Sequence, residues 1–404
     1  MRTQIASPLA ETAAGAVAES VLRACVHCGM CNAACPTYRL TGDELDGPRG
    51  RIYLMKQALE GEAVGSLSQH HLDRCLACRA CESACPSGVE YHRLLDIGRL
   101  LVAERTQRPW ADRLARAVLR HVVLAPNHLV VLFALGRLVR FALPRALADK
   151  VPARTSAGRR PTTDHARRML VLDGCVQSVA APHFDAALAR VFDAAGIAVQ
   201  STRGCCGALS FHLDASEEAR GLARGHIDAW TVALDAGAEA IVCSASGCAA
   251  FIRDWPDLLS DDLAYAAKAR RVANALRDPI EVLAGTPLSP TVAPTRPRIA
   301  VHDPCTLRNG PRLAGAVETL LARLGYQPES VADADQCCGS AGAYSLLQPD
   351  FANALRAKKI FALTQNAPDA IYTANIGCWM HLAAVSPVPV RHWIEAVDDL
   401  ISSP

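Results

Sequence analysis

Eight cysteines between Cys25 and Cys85 constrain this chain more than any other feature of its sequence. They read Cys25-x-x-Cys28-x-x-Cys31-x-x-x-Cys35-Pro36 and, forty residues on, Cys75-x-x-Cys78-x-x-Cys81-x-x-x-Cys85-Pro86. Three thiolates at two-residue intervals close around one face of an iron–sulfur cube, and the fourth, after a longer gap and before proline, turns to the other cube. The spacing assigns Cys25, Cys28, Cys31 and Cys85 to one [4Fe–4S] cluster, and Cys75, Cys78, Cys81 and Cys35 to a second. Each proline lacks an N–H and fixes its own φ, so the chain is expected to leave each cluster in an extended direction. Disulfides and two four-thiolate zinc sites are the competing readings. Disulfides are rare in a cytosolic chain, and zinc has no need of a third and fourth cysteine followed by proline in both copies.

At 404 residues the chain should hold two or three domains. Half its residues are apolar and only 5% aromatic, which suits a compact α/β protein rich in alanine and leucine. A net charge of +2 gives a nucleic-acid partner no electrostatic support. Sixteen of the 17 cysteines fall into spaced sets, as metal ligands do. Met1 to Glu19 has one arginine, two glutamates and no sustained apolar stretch, so it does not read as a signal peptide. The expected compartment is a reducing cytoplasm.

The expected organisation is a ferredoxin-type domain over 1–108, a basic helical segment and linker over 109–168, and two cysteine-rich units over 169–290 and 291–404. Between the cysteine runs, Arg49 and Arg51 stand where they either donate hydrogen bonds toward cluster sulfides or cap a turn. Apolar periodicity predicts a helix from Ile52 to Leu59 and another from Val89 to Ala103. Residues 110–145 read as a helix pair with an apolar face and arginines at 113, 116, 120, 137 and 140. The apolar run is too short to span a bilayer. Such a face either docks on a membrane surface or partner subunit, or packs over its own domain. Residues 147–168, rich in Pro, Gly, Thr and Arg, read as a linker.

The remainder is a duplication. Met169-Leu-Val-Leu-Asp-Gly-Cys175 is matched by Ile299-Ala-Val-His-Asp-Pro-Cys305, each a buried strand ending at a cysteine. Helices follow over Phe184–Ala195 and Leu313–Leu324, each stopped by a glycine, Gly196 and Gly325. Then come Gly204-Cys205-Cys206-Gly207 and Gln336-Cys337-Cys338-Gly339, and strands at 239–243 and 369–374 leading to Ser246-Gly247-Cys248 and Ile376-Gly377-Cys378. Matching cysteines lie 130 to 132 residues apart. The fold class is therefore α+β overall, a helical two-cluster domain followed by two α/β units with mostly parallel sheets. Chemistry in such sheets gathers at the carboxyl ends of strands. Cys175, Cys205, Cys206 and Cys248 form one candidate site, and Cys305, Cys337, Cys338 and Cys378 another. Metal or cluster ligation is one reading of each, redox-active or merely buried thiols the other. His302, Asp303 and His381 flank the second set and His212 follows the first; they read as ligands, proton relays or hydrogen-bonded neighbours, and Trp379 as packing.

These motifs carry a resemblance. Val26-His27-Cys28-Gly29-Met30-Cys31, Gly47-Pro48-Arg49-Gly50-Arg51, His302-Asp303-Pro304-Cys305, Cys337-Cys338-Gly339-Ser340-Ala341-Gly342 and Asn375-Ile376-Gly377-Cys378 resemble the iron–sulfur subunits of glycolate oxidase and related hydroxyacid dehydrogenases. The resemblance spans nearly the whole chain. It implies a separate FAD-containing subunit that oxidises glycolate to glyoxylate, with this chain relaying electrons to a quinone or other acceptor. Equivalent subunits of lactate or anaerobic glycerol-3-phosphate dehydrogenases are the alternative, as is a thiol–disulfide enzyme acting through Cys205-Cys206 and Cys337-Cys338. The expected location is the cytoplasm, with contact of residues 110–145 with the inner face of the cell membrane as one of the readings of that segment. The two units also resemble the cysteine-rich domains of heterodisulfide reductase, which carry a fifth cysteine two positions before the final Gly-Cys. Ala245 and Asn375 stand there instead, and Cys243 has the wrong spacing to replace it. Four thiolates suffice for an ordinary cube or for zinc, so one or two further clusters or zinc ions are expected. No dinucleotide fingerprint or phosphate loop is visible, which puts the flavin on the partner.

Overall fold

The computed structural model describes residues 1–143, 148, 151–288 and 297–401. The first hundred residues are helical. Helices Ala13–Ala24, Pro48–Leu59 and Tyr91–Arg105 pack around Leu22, Met55, Leu59, Leu94 and Leu95, all fully buried. Thr12 caps the first by accepting a hydrogen bond from the Gly15 amide, and Pro48 opens the second at a position that needs no N–H. The two cysteine loops project from this bundle and run into the short helices Met30–Ala34 and Ala80–Ser83. Each loop carries two left-handed residues, His27 and Gly29 in one, Ala77 and Arg79 in the other. Such alternation wraps backbone amides around a concavity that suits an anionic guest. The prolines act differently from expectation: Pro36 opens the helix Pro36–Thr41 instead of extending the chain, its fixed φ being helix-compatible.

Two four-stranded sheets follow, both wholly parallel. The first has the order β2-β1-β3-β4, from β1 (Arg167–Gly174), β2 (Ile197–Gly204), β3 (Ala240–Val242) and β4 (Leu276–Arg277). The second repeats it as β6-β5-β7-β8, from β5 (Arg298–His302), β6 (Gln327–Glu329), β7 (Ala370–Thr373) and β8 (Val390–His392). Strand order reverses beside β1 and β5, which opens a crevice at their carboxyl ends. Met169 to Leu172 are all buried because helices cover both faces of the sheet.

The two sheets share one core. Val171, Leu188 and Phe192 of the first cluster with Val301, Leu321 and Trp393 of the second. The C-terminal helix Trp393–Ile401 lies on Pro182–Ala194, pinned by Arg190 and Asp398 at 2.5 Å. Ser246 N donates to Ala374 O (3.2 Å), and the hydroxyls of Ser246 and Thr306 meet at 2.8 Å, so the cysteine ends of the two units touch.

Helices Trp110–Leu124 and Pro126–Leu138 meet in a 101° bend. Their inner side packs on the first unit through Leu129 and Phe133, and Arg108 and Arg116 hold Asp73, Asp112 and Asp214. Their outer side leaves Trp110, Leu114, Val118, Val131, Leu135 and Leu138 exposed. The inner side thus packs over the protein's own body, as one of the two readings expected; the segment's last two residues, 144 and 145, lie outside the described residues, as does the junction at 289–296. Residues 151–166 contain no helix or strand. The helix expected from Leu313 begins only at Ala316, because Gly315 turns left-handed before it.

Candidate iron–sulfur and cysteine-rich sites

The first domain gathers its eight cysteines into two groups, each built across both runs. Cys25, Cys28, Cys31 and Cys85 line a cavity with Arg49 and Tyr91, and Cys81 lines both it and its neighbour. Cys35, Cys75, Cys78 and Cys81 line a second cavity with Arg51 and Tyr91. The electrostatics follow the same division. Burial pushes the Cys31 thiol up to about 11, and Cys25, Cys85 and Cys28 add to it. Burial raises Cys81 as well, followed by Cys78, Cys75 and, less strongly, Cys35. Thiols crowded this way resist ionising until a cation arrives; binding one would drive out protons. Soft thiolates in groups of four fit iron–sulfur cubes or zinc.

Both arginines singled out in the sequence stand at these cavities. Arg51 is completely buried: its Nε donates to His71 O at 2.8 Å, and both terminal nitrogens reach Thr37 Oγ1 at 3.1 Å. One of them approaches Cys35 Sγ to 3.9 Å. Asp46, also fully buried, balances it at 3.7 Å and holds His71 and Arg74 at 2.8 Å. Arg49 instead pairs with Glu44 and lies over Gly29, where any Cβ would fall 2.5 Å from its guanidinium. Around Cys28 the protein is open, with Val26 and Met30 exposed.

The cysteine-rich units place their sets where the sheets' topology implies, at the carboxyl ends of strands. Cys175 follows β1, Cys205 and Cys206 follow β2, and Cys248 stands in the helix Ser246–Arg253 after β3. In this first set the thiols neighbour one another in the order Cys175, Cys205, Cys206 and Cys248 and perturb each other's ionisation: Cys175 and Cys206 pull Cys205 down to about 3, while their own values rise. The second set repeats the order through Cys305, Cys337, Cys338 and Cys378, with Cys305 and Cys337 sulfurs 4.0 Å apart. A glycine closes each pair for a definite reason: the amides of Gly207 and Gly339 turn back to donate to Cys205 Sγ (3.5 Å) and Cys337 Sγ (3.4 Å), which needs the left-handed φ both adopt. Five of these eight thiols are buried and three half-buried, and a set of four gathered at one sheet end fits a metal centre with four sulfur donors.

The second set adjoins the first domain. Cys78 packs with Cys305 and Cys337 beneath Leu76 and Tyr344, and its thiol is raised by burial and then by Cys305. Asn309 donates to Cys78 O at 2.7 Å and Tyr344 to Arg74 O at 3.1 Å. On the other side of the same loop, Arg79 bonds Asp254 and Arg93 bonds Asp257, fastening the domain to the first unit.

Of the flanking residues, His302 joins Cys338 and Cys378, their ligand atoms all within 4.8 Å of one another. Burial, with Lys359 and Arg308 nearby, holds its pKa well below the ordinary value, so the ring is neutral. Asp303 accepts from the Gly315 amide at 2.7 Å, and His381 bonds Ala352 O at 3.2 Å. Trp379 packs on Phe184 and donates to Val390 O. His212 is exposed and packs edge-on against the Phe251 ring.

Sequence reasoning passed over three residues. His226, in the middle of the helix Ser216–Asp235, sits against the backbone of Gly204 and Cys205. Lys359, buried, donates to Asp333 O at 2.8 Å and lends positive charge to Cys338 and Cys337. Cys243, at the wrong spacing for the expected fifth cysteine, lies beside Cys248 and donates to Ala245 O at 3.4 Å. Its position at the carboxyl end of β3 was the signal available.

Residues 21–89 match a family described as a 4Fe-4S dicluster domain, and residues 169–253 and 299–383 each match one described as a cysteine-rich domain. The chain is 48% identical over 404 residues to an Escherichia coli protein named glycolate oxidase iron-sulfur subunit, covering 99% of both chains. It is 29% identical to a Bacillus subtilis protein named probable glycolate oxidase iron-sulfur subunit, over 90% of this chain and 89% of that one. An Exiguobacterium protein named lactate utilization protein A is 24% identical over 48% of this chain and 81% of its own.

Proposed function

Because the chain belongs to the family of glycolate oxidase iron–sulfur subunits, we propose that it takes electrons from an FAD-containing partner oxidising glycolate to glyoxylate and delivers them to a quinone or another acceptor. Cys25, Cys28, Cys31 and Cys85 would hold one [4Fe–4S] cluster, Cys35, Cys75, Cys78 and Cys81 the other. Each cysteine-rich unit would hold a further cluster or a zinc ion. When bound, the clusters supply one-electron acceptance and release at nearly fixed geometry. What carries this reading is the assembly of each four-cysteine group from both runs, Cys85 with the first and Cys35 with the second.

The chain's own residues do the rest. Tyr91, bordering both cavities, keeps the two groups adjacent. Arg51 and its hydrogen bonds place a fixed positive charge at Cys35, which favours the reduced state. The open rim of Val26, Cys28 and Met30 gives a partner close approach to the first group, and the Cys78–Cys305 packing leads from the second group into the second unit. No helix here is long and apolar enough to cross a membrane among the described residues. The exposed apolar side of 110–138, with Arg113 and Arg140 exposed beside it, supports contact with the surface of an anionic membrane.

The test pairs the anaerobically purified chain with its flavoprotein partner. Glycolate should bleach the chain's visible iron–sulfur absorption only when the partner is present. Bleaching by glycolate without the partner, or none with it, would overturn the proposal. Sedimentation with anionic vesicles, reduced by replacing Trp110, Leu114 and Val118 with serine, tests the membrane contact.

A further inference from the structure

The two cysteine-rich units follow one plan but are completed differently. Both lack a cysteine two positions before the final Gly-Cys, where Ala245 and Asn375 stand. In each, another donor stands beside the last cysteine, drawn from a different strand end. In the first unit it is Cys243, which follows β3 and lies beside Cys248; the matching residue of the second unit, 130 positions on, is Thr373. In the second unit it is His302, and its match in the first is Leu172.

Resting on the reading that the second unit holds a metal centre, we propose that His302 is a nitrogen ligand of that centre. The second site is then thiolate and imidazole, the first thiolate alone. His302, Cys338 and Cys378 are all buried, with ligand atoms within 4.8 Å of one another. His302 ends β5 and lies in register with Thr373 of β7, whose Oγ1 is 3.0 Å from His302 Nδ1. If Nδ1–H is the donor to Thr373 Oγ1, that hydrogen bond fixes the ring's plane and tautomer and leaves the Nε2 lone pair for a metal, the way ligating histidines are held. The same strand position thus supplies a thiol in one unit and the histidine's anchor in the other. Zinc and iron both accept sulfur with imidazole nitrogen. A neutral ring added to thiolates brings no further negative charge. Where a fifth thiolate would lower the reduction potential, the ring leaves it higher.

The test uses the full chain grown with and without ¹⁵N-labelled histidine, purified anaerobically and analysed for iron and zinc. If the second unit holds iron, pulsed electron paramagnetic resonance should show a nitrogen coupling that changes with the label. It should be lost in His302→Gln, which preserves a hydrogen-bonding side chain for Thr373, and be kept in Cys243→Ser. If it holds zinc, X-ray absorption should show a nitrogen shell at about 2.0–2.1 Å beside sulfur at about 2.3 Å, lost in the same variant. An all-sulfur shell, or a coupling that survives in His302→Gln, overturns the inference while leaving the metal centre standing. Metal content unchanged by Cys378→Ser would overturn both.

Discussion

Replacing Arg51 by methionine removes a charge without removing much volume, and its effect can be worked out from the structure. The guanidinium lies 3.9 Å from Cys35 Sγ, in a site with no exposure to water. Charge added on reduction spreads over a cluster, so the working separation is about 5–6 Å. At an effective dielectric constant of about 20, one unit charge is then worth about 3 kcal/mol. For a one-electron couple that is about 130 mV, and the midpoint potential of the second cluster should fall by that order in Arg51→Met. Arg51→Lys should retain most of the potential. Stability should fall too, by about 3–5 kcal/mol, the usual result of leaving one partner of a buried pair uncompensated; His71 and Arg74 on Asp46 moderate the loss. The assay is a redox titration followed by electron paramagnetic resonance, with both clusters resolved. A potential unchanged to within about 30 mV, with the cluster intact, would refute the argument that Arg51 sets it.

Other perturbations test the rest of the chain. Asp185 is buried with Gln177 and Ser244 as partners, and burial, with Asp173 next, pushes its carboxyl up to about 7. Its stability contribution is complete below the unfolded value near pH 3.8 and is lost as pH rises through about 7, up to about 4 kcal/mol at most. Asp185→Asn should therefore gain on the wild type between pH 5 and pH 8 in calorimetry, and a difference constant with pH would contradict this. Gly339→Ala would place a Cβ 2.6 Å from Ala352 O at φ +88°, whereas Gly342→Ala, at φ +61°, meets nothing within 4 Å. The first should cost about 3 kcal/mol and metal from the second unit, the second about 1 kcal/mol; equal losses would show that the turn behind Cys337 is not tightly packed.

How much of this was legible in the sequence depends on how local the signal is. The strand β1 shows itself because Met169 to Leu172 must be apolar on both faces, and the duplication is legible because equal spacing puts Cys175 and Cys305 at equivalent strand ends. Motif spacing proposes a grouping of the eight N-terminal cysteines that agrees with the two cavities they line. Tertiary placement was not legible. His212, near the first cysteine pair in sequence, is exposed beside Phe251, while His226 reaches Cys205 from the middle of a helix whose packing no local pattern encodes. Cys243 fails a spacing rule, yet the turn between β3 and the next helix brings it to Cys248. Pro36 shows the converse: its restricted φ fits a helix start as well as an extended exit, and the bundle decides.

The central claim is that each N-terminal cluster takes its fourth thiolate from the other run. It is tested most directly by comparing the reduced electron paramagnetic resonance spectra of Cys35→Ser, Cys28→Ser and Cys78→Ser in the full chain. The account predicts that Cys35→Ser alters the same signal as Cys78→Ser and leaves the ligand-field character of the other cluster intact. If Cys35→Ser instead alters the signal that Cys28→Ser alters, the exchange of ligands between the runs is contradicted.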